Sequence, residues 1–139
     1  MTGRTKAVFL DRDGTISYEV GYIDRVENFR LYPYSAESLA AFCEMGFVIV
    51  IVTNQSGVAR GFFPESRVHE INNKLRSLLK SEGVTIGGMY YCPHLPHGII
   101  AEYARECTCR KPNIGMIKKA EIELDLDLRN SIMVGDKLN

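Results

Sequence analysis

The stretch AVFLDRDGTIS, residues 7–17, drives four apolar residues into a charged knot. Asp11 and Asp13 flank Arg12, and Gly14 and Thr15 follow at once. A short apolar run bounded by turn residues reads as a buried strand. Two carboxylates at its end need a compensating partner, because neighbouring anions disfavour each other's charged form.

Three further apolar runs read as strands: FVIVIVT (47–53), GMYYC (88–92) and SIMVGD (131–136). The second and fourth of the four runs are continuous rather than alternating, which predicts strands covered on both faces. Helical patterns lie between the runs. Ser35 is expected to cap a helix through AESLAAFCEM that Gly46 stops. Pro64 suits the first turn of a helix carrying Val68, Ile71, Leu75, Leu78 and Leu79 as far as Gly83. A third helix after Pro112 would carry Met116, Ile117, Ala120 and Leu124. Strands alternating with helices predict an α/β fold: a Rossmann-like three-layer sandwich around a mostly parallel sheet.

Ligands of such sheets gather outside the carboxyl ends of the strands. Asp11 and Asp13 follow the first strand and TNQSG (53–57) the second, while CPH (92–94) follows the third and GDK (135–137) closes the fourth. All four clusters are expected at one edge. A lone aspartate at a strand end is as readily a turn residue. Asp11, Asp13 and Asp136 converging beside Lys111, Thr53 and Asn54 instead make a hard-oxygen site suited to Mg²⁺ and a phosphate.

The whole chain bounds the reading further. Its 139 residues suit one domain, 1–139, large enough for a real core. Lys+Arg and Asp+Glu balance at 17 each, so bulk charge favours neither nucleic acid nor an anionic membrane as partner. No apolar run approaches the roughly 20 residues that cross a bilayer. Acids interrupt the N-terminal apolar run too early for a signal peptide, so the expected compartment is the cytoplasm. The chain stops three residues after Asp136, at a turn with no helix following it. That pattern suggests that the C-terminal part of the fold is missing.

In a reducing compartment clustered cysteines favour metal over disulfides. Cys43 stands apart and is expected in the core. Cys92-x-His94 and Cys107-x-Cys109, with twelve residues between the half-sites, offer three thiolates and one imidazole. Such a set makes a closed, structural Zn²⁺ site that folds the loop 92–109 and presents Arg110 and Lys111 at the site edge. His97 is an alternative to His94, and unrelated buried thiols are the competing, less favoured reading.

The run of four apolar residues, D-x-D-G-T, at 7–15 resembles the first motif of the haloacid dehalogenase-like phosphatases. VIVT ending at Thr53 resembles their second motif, Lys111 their third and MVGD ending at Asp136 their fourth. The resemblance covers the chain from residue 7 onward. It implies that Asp11 attacks phosphorus to form an aspartyl-phosphate, and that Asp13 serves first as general acid and then as general base. It implies that Thr53 and Lys111 hold phosphoryl oxygens. Mg²⁺ would be held by Asp11, the Asp13 carbonyl and Asp136. Members often carry a further acid beyond the fourth motif, and Lys137, Leu138 and Asn139 supply none.

Neither gap 16–46 nor gap 93–110 is long enough for a large cap domain. With TNQSGVARG and the zinc loop, the chain looks like the D-glycero-D-manno-heptose 1,7-bisphosphate 7-phosphatase group, with histidinol-phosphate phosphatase as the nearest alternative. That resemblance implies removal of the 7-phosphate in the making of nucleotide-activated heptose for lipopolysaccharide, by an enzyme expected to act as a monomer. Asn54, Arg60 and Arg110 would bind the substrate, the two arginines offering cations for its second phosphate. A polynucleotide 3′-phosphatase would need a basic track that the neutral composition lacks. A zinc-stabilised phosphate-binding module without turnover is the reading from a different functional class.

Overall fold

The computed structural model describes residues 4–18, 25–111 and 113–135. Its main elements are β1 (Ala7–Leu10), α1 (Ser35–Glu44), β2 (Val48–Asn54), α2 (Glu65–Ser81), β3 (Ile86–Cys92), α3 (Gly115–Leu124) and β4 (Ile132–Val134). The strands form one sheet in the order β3-β2-β1-β4, with every neighbouring pair parallel. The α/β sandwich predicted from the alternation of runs is the fold observed.

Successive side chains on a strand point to opposite faces, and β1 divides its four residues accordingly. Val8 and Leu10 join Ile49 and Ile51 in a core with Leu39 of α1 and Ile71, Leu75 and Leu79 of α2. Ala7 and Phe9 join Val50 and Val52 on the other face, against Met116 and Ala120 of α3. A strand packed on both sides has no polar face, which is why β1 and β2 read as continuous apolar runs.

The register aligns the strand ends. Leu10 lies beside Ile51 and Val134, and Thr53 and Asn54 lie beside Tyr91 and Cys92. The residues that follow β1, β2 and β3 therefore emerge at one edge of the sheet.

Three expectations are corrected. β4 is not covered on both faces: Ile132 and Met133 are 41% and 49% exposed, because β4 is an edge strand paired only with β1. Ser35 is not the cap of α1 but its first residue; its buried hydroxyl donates to the Ile16 carbonyl at 2.7 Å and anchors the loop after β1. Cys43 is exposed rather than in the core, since α1 turns Leu39 and Phe42 toward the sheet and leaves Cys43 outside that stripe. Among the described residues, the segments after β1 and β3 carry only short 3₁₀ turns (Val26–Asn28, Ala101–Tyr103) and no cap domain.

Candidate active site

The loop after β1 wraps around one carbonyl. Thr15, Ile16 and Ser17 all donate their N–H groups to the Arg12 carbonyl, at 3.3, 3.0 and 3.2 Å. Gly14 sits at φ +84°, a left-handed conformation that a side chain would strain, and its N–H closes the turn onto the Ser17 carbonyl at 2.8 Å. This tight winding holds Asp11 and Asp13 on one short turn.

The two acids have different partners. Asp11 faces a cation, with its Oδ2 3.2 Å from the Lys111 ammonium, while its Oδ1 accepts the Arg12 N–H at 2.8 Å. Asp13 is gripped by Arg12, which donates from Nε to Oδ1 at 2.9 Å and from Nη2 to Oδ2 at 3.1 Å. Ser17 Oγ and Gln55 Nε2 each donate to Asp13 as well, both at 3.3 Å. Arg12 is fully buried, although it stands between two acids in the sequence. Its remaining nitrogen donates to Asn72 Oδ1 of α2 at 2.9 Å, and its guanidinium lies 5.6 Å from the centre of the Phe29 ring. A buried guanidinium is tolerated only when paired and hydrogen-bonded, and Asp13 and Asn72 give each of its three nitrogens a partner.

Lys111 is placed by β2. Its ammonium donates to the Val52 carbonyl at 3.3 Å, and its backbone is clasped by Asn54. The Asn54 Oδ1 accepts the Lys111 N–H at 2.9 Å, and its Nδ2 donates to the Lys111 carbonyl at 3.3 Å. Both polar ends of Asn54 are thus engaged by the main chain of Lys111. Thr53 is buried at the end of β2 and accepts a hydrogen bond from Gln55 Nε2 at 3.0 Å. Arg60 lies half-buried in the turn after β2, and Arg110 donates to the His94 carbonyl at 3.3 Å. Asp136 lies outside the described residues.

Magnesium suits the donors that are described. The Asp11 carboxylate is a hard ligand, and the Asp13 carbonyl accepts no hydrogen bond among the described residues.

The second cluster is sulfur-rich. One ligand atom each from Cys92, His94, Cys107 and Cys109 lies within 4.8 Å of the others. Three of the thiol and imidazole separations, Cys92–Cys107, Cys107–Cys109 and His94–Cys109, are 3.4 Å. A zinc tetrahedron with bonds of about 2.3 Å has edges of about 3.8 Å, so most of these separations would widen by tenths of an ångström to admit the ion, while the Cys92 and Cys109 sulfurs, 2.7 Å apart, would have to spread by about an ångström. The structure selects His94 over His97. Burial pushes the Cys92 thiol up, reinforced by the Cys109 thiol beside it, which disfavours the thiolate unless a cation is present. Gly115 lets α3 pack beneath this loop: a Cβ there would lie 2.4 Å from the Thr108 carbonyl oxygen, and its N–H donates to that oxygen at 2.8 Å.

Beside the sulfur cluster lies a cavity of about 500 Å³, lined among others by Glu65, Tyr91, His94, Tyr103, Arg105 and Lys119. The Tyr91 hydroxyl donates to Glu65 Oε2, and the Tyr103 hydroxyl to Oε1 at 2.9 Å. The Tyr91 bond is the larger reason that the Glu65 carboxyl lies below its usual range. Sequence reading assigned nothing to this group, or to Arg12, Gln55 and Asn72. The one local signal was Asn72, an amide on the otherwise apolar stripe of α2.

The family profile described as polynucleotide kinase 3 phosphatase matches residues 6–139. The chain belongs to this haloacid dehalogenase-like phosphatase family. Among curated relatives of the phosphatase, D-glycero-beta-D-manno-heptose-1,7-bisphosphate 7-phosphatase of Yersinia pestis is 43% identical, over 99% of this chain and 73% of that protein. The alpha-anomer enzyme of Photorhabdus laumondii is 40% identical, over 96% of this chain and 73% of its own length. Among solved structures, the D,D-heptose 1,7-bisphosphate phosphatase of B. bronchiseptica, complexed with magnesium and phosphate, superposes with a TM-score of 0.83 at 30% identity. That match covers 96% of this chain and 71% of the other. A HAD-like phosphatase from Mesorhizobium loti gives a TM-score of 0.89 at 37% identity. The present chain spans 64% of that protein's solved chain, with 96% of its own residues matched.

Proposed function

We propose that this phosphatase removes the 7-phosphate of D-glycero-D-manno-heptose 1,7-bisphosphate, with Mg²⁺ as cofactor and Asp11 as nucleophile. The observation that carries the reading is the contact between Asp11 Oδ2 and the Lys111 ammonium at 3.2 Å. It sits at the edge of a fold shared with relatives of that name. An oxygen anion beside a cation at the end of a parallel strand is a place where a phosphoryl group can be both held and attacked.

In the first step an Asp11 oxygen forms a bond to phosphorus as the bond from phosphorus to the sugar oxygen breaks. Asp13 gives its proton to that departing alkoxide. Lys111 and the Thr53 hydroxyl bind the equatorial phosphoryl oxygens, where charge accumulates. In the second step Asp13, now a carboxylate, takes a proton from water, whose oxygen attacks phosphorus and frees Asp11 and inorganic phosphate. Bound magnesium would supply charge neutralisation between Asp11, the Asp13 carbonyl, Asp136 and the phosphoryl group. Asn54 keeps Lys111 in place through its main chain. Arg60 and Arg110 are the cations available to a distal phosphate.

Cys92, His94, Cys107 and Cys109 hold one Zn²⁺ in a structural role, since four protein ligands leave no open position. The substrate is a free sugar phosphate, met in the cytoplasm by a monomer. No helix of the described residues is long and apolar enough to cross a membrane. Relatives named for both heptose anomers match, so the anomer is a question for substrate comparison.

The test is phosphate release in Mg²⁺ from heptose bisphosphate, fructose 1,6-bisphosphate and histidinol phosphate. Fastest turnover of the heptose ester is expected. Preference for histidinol phosphate would move the chain to the alternative activity. Zinc binding without phosphate release from any of the three would make it a non-catalytic module.

A further inference from the structure

Gln55 follows β2 directly and belongs to neither acid pair, yet it touches both halves of the site. Its side chain is buried and its backbone is fixed independently. The Gln55 N–H donates to the Cys92 carbonyl at 2.8 Å, and its carbonyl accepts the Val58 N–H at 3.3 Å. From this anchored position Nε2 donates to Thr53 Oγ1 at 3.0 Å and to Asp13 Oδ2 at 3.3 Å. The carboxylate can only accept, so the amide nitrogen, not the oxygen, faces it. Both hydrogens of one NH₂ group are thereby spent on two residues, one at the end of β2 and one in the loop after β1.

We propose that Gln55 is a positioning residue that aligns the proton shuttle on Asp13 with the phosphoryl-binding hydroxyl of Thr53. The inference rests on the phosphatase reading above. Two consequences follow from the donor inventory. Gln55 occupies a lone pair of Thr53 Oγ1, so the hydroxyl hydrogen must point elsewhere. Among the described residues its only acceptor is the Asn54 carbonyl at 3.5 Å, at the limit of a hydrogen bond, so a phosphoryl oxygen takes it readily. At Asp13, Gln55 competes with Arg12 for Oδ2. Without the amide, that oxygen belongs to the Arg12 fork alone, and the carboxyl is drawn toward Arg12 and away from the phosphoryl site.

The experiment exploits the leaving group. Expulsion of 4-nitrophenolate needs no proton, whereas expulsion of a sugar alkoxide does, and kcat/KM reports the step in which the ester bond breaks. Gln55→Met removes the donor at constant length, and Gln55→Glu keeps the shape while replacing the donor by an acceptor. Both are compared with wild type on 4-nitrophenyl phosphate and on heptose bisphosphate, or on histidinol phosphate if the heptose ester is inert. The expected result is a fall in kcat/KM on the alkyl ester exceeding that on the aryl ester by roughly ten-fold or more. A merely structural role lowers both equally, so equal losses in the folded variants, or no loss, would overturn the alignment. If wild type itself hydrolyses neither class of ester, the phosphatase reading falls, and the role of Gln55 with it.

Discussion

Arg12 and Asp13, adjacent in sequence, form a two-pronged ion pair of 2.9 and 3.1 Å in which the arginine is fully buried. The pair explains why the chain places a cation between two acids. It compensates one carboxylate from inside the fold and leaves the other, Asp11, to face Lys111 and the ligand edge. It also gives Asp13 a structural task beside the proton transfer proposed for it.

Removing Asp13 should therefore cost stability as well as activity. Asp13→Ala strands a buried guanidinium and is expected to destabilise the fold by about 3 kcal/mol. Asp11→Ala, whose partner Lys111 also reaches a backbone carbonyl, should change stability far less. Urea unfolding of the two variants side by side is the check. Equal midpoints would show that the Arg12 fork does not need Asp13.

Asn54→Ala leaves the chemical groups in place but releases the Lys111 backbone. The expected effect is weaker inhibition by inorganic phosphate, by about ten-fold, with the melting temperature nearly unchanged. Unaltered phosphate inhibition would mean that Lys111 is held well enough by the Val52 carbonyl.

The sulfur cluster predicts one zinc per chain, measured by elemental analysis, and its loss in Cys109→Ser. Stripping zinc with a chelator should lower the melting temperature and reduce turnover together, because the loop that carries the cluster leads directly into Arg110 and Lys111. Activity and melting temperature both indifferent to zinc would contradict a structural site.

Much of this was legible in the chain. The four strands and three helices follow from apolar runs and helical spacing, and the sheet order brings the residues after the first three strands to one edge, as a parallel α/β sheet requires. The two halves of the Cys/His cluster were visible because sulfur and imidazole at short spacing have few other uses. What stayed hidden was polar and tertiary. The burial of Arg12 has no local signal, because Asn72, sixty residues later, supplies one of its hydrogen-bond partners. Ser35 looks like a cap because the acceptor it uses instead, Ile16 O, is remote in sequence. The exposure of β4 depends on what packs against it, which no periodicity encodes.

The Glu65 carboxyl gives a pH signature. Its pKa is lowered in the folded protein, chiefly by the Tyr91 hydroxyl, so it binds a proton less readily folded than unfolded. Its contribution to stability is complete above the unfolded value of about 4.3 and is lost as pH falls through the folded value. Glu65→Gln should therefore flatten the fall in stability as pH drops below the ordinary carboxylate range, measured by urea unfolding at stepped pH. An identical slope in the variant would remove Glu65 from the acid transition.

The central claim is that Asp11 is the atom donor to phosphorus, and Asp11→Asn tests it most directly, because the amide keeps the shape and loses the nucleophile. With Mg²⁺ and heptose bisphosphate, phosphate release is expected to fall by about a thousand-fold or more while the variant stays folded. Release at the wild-type rate would contradict the mechanism.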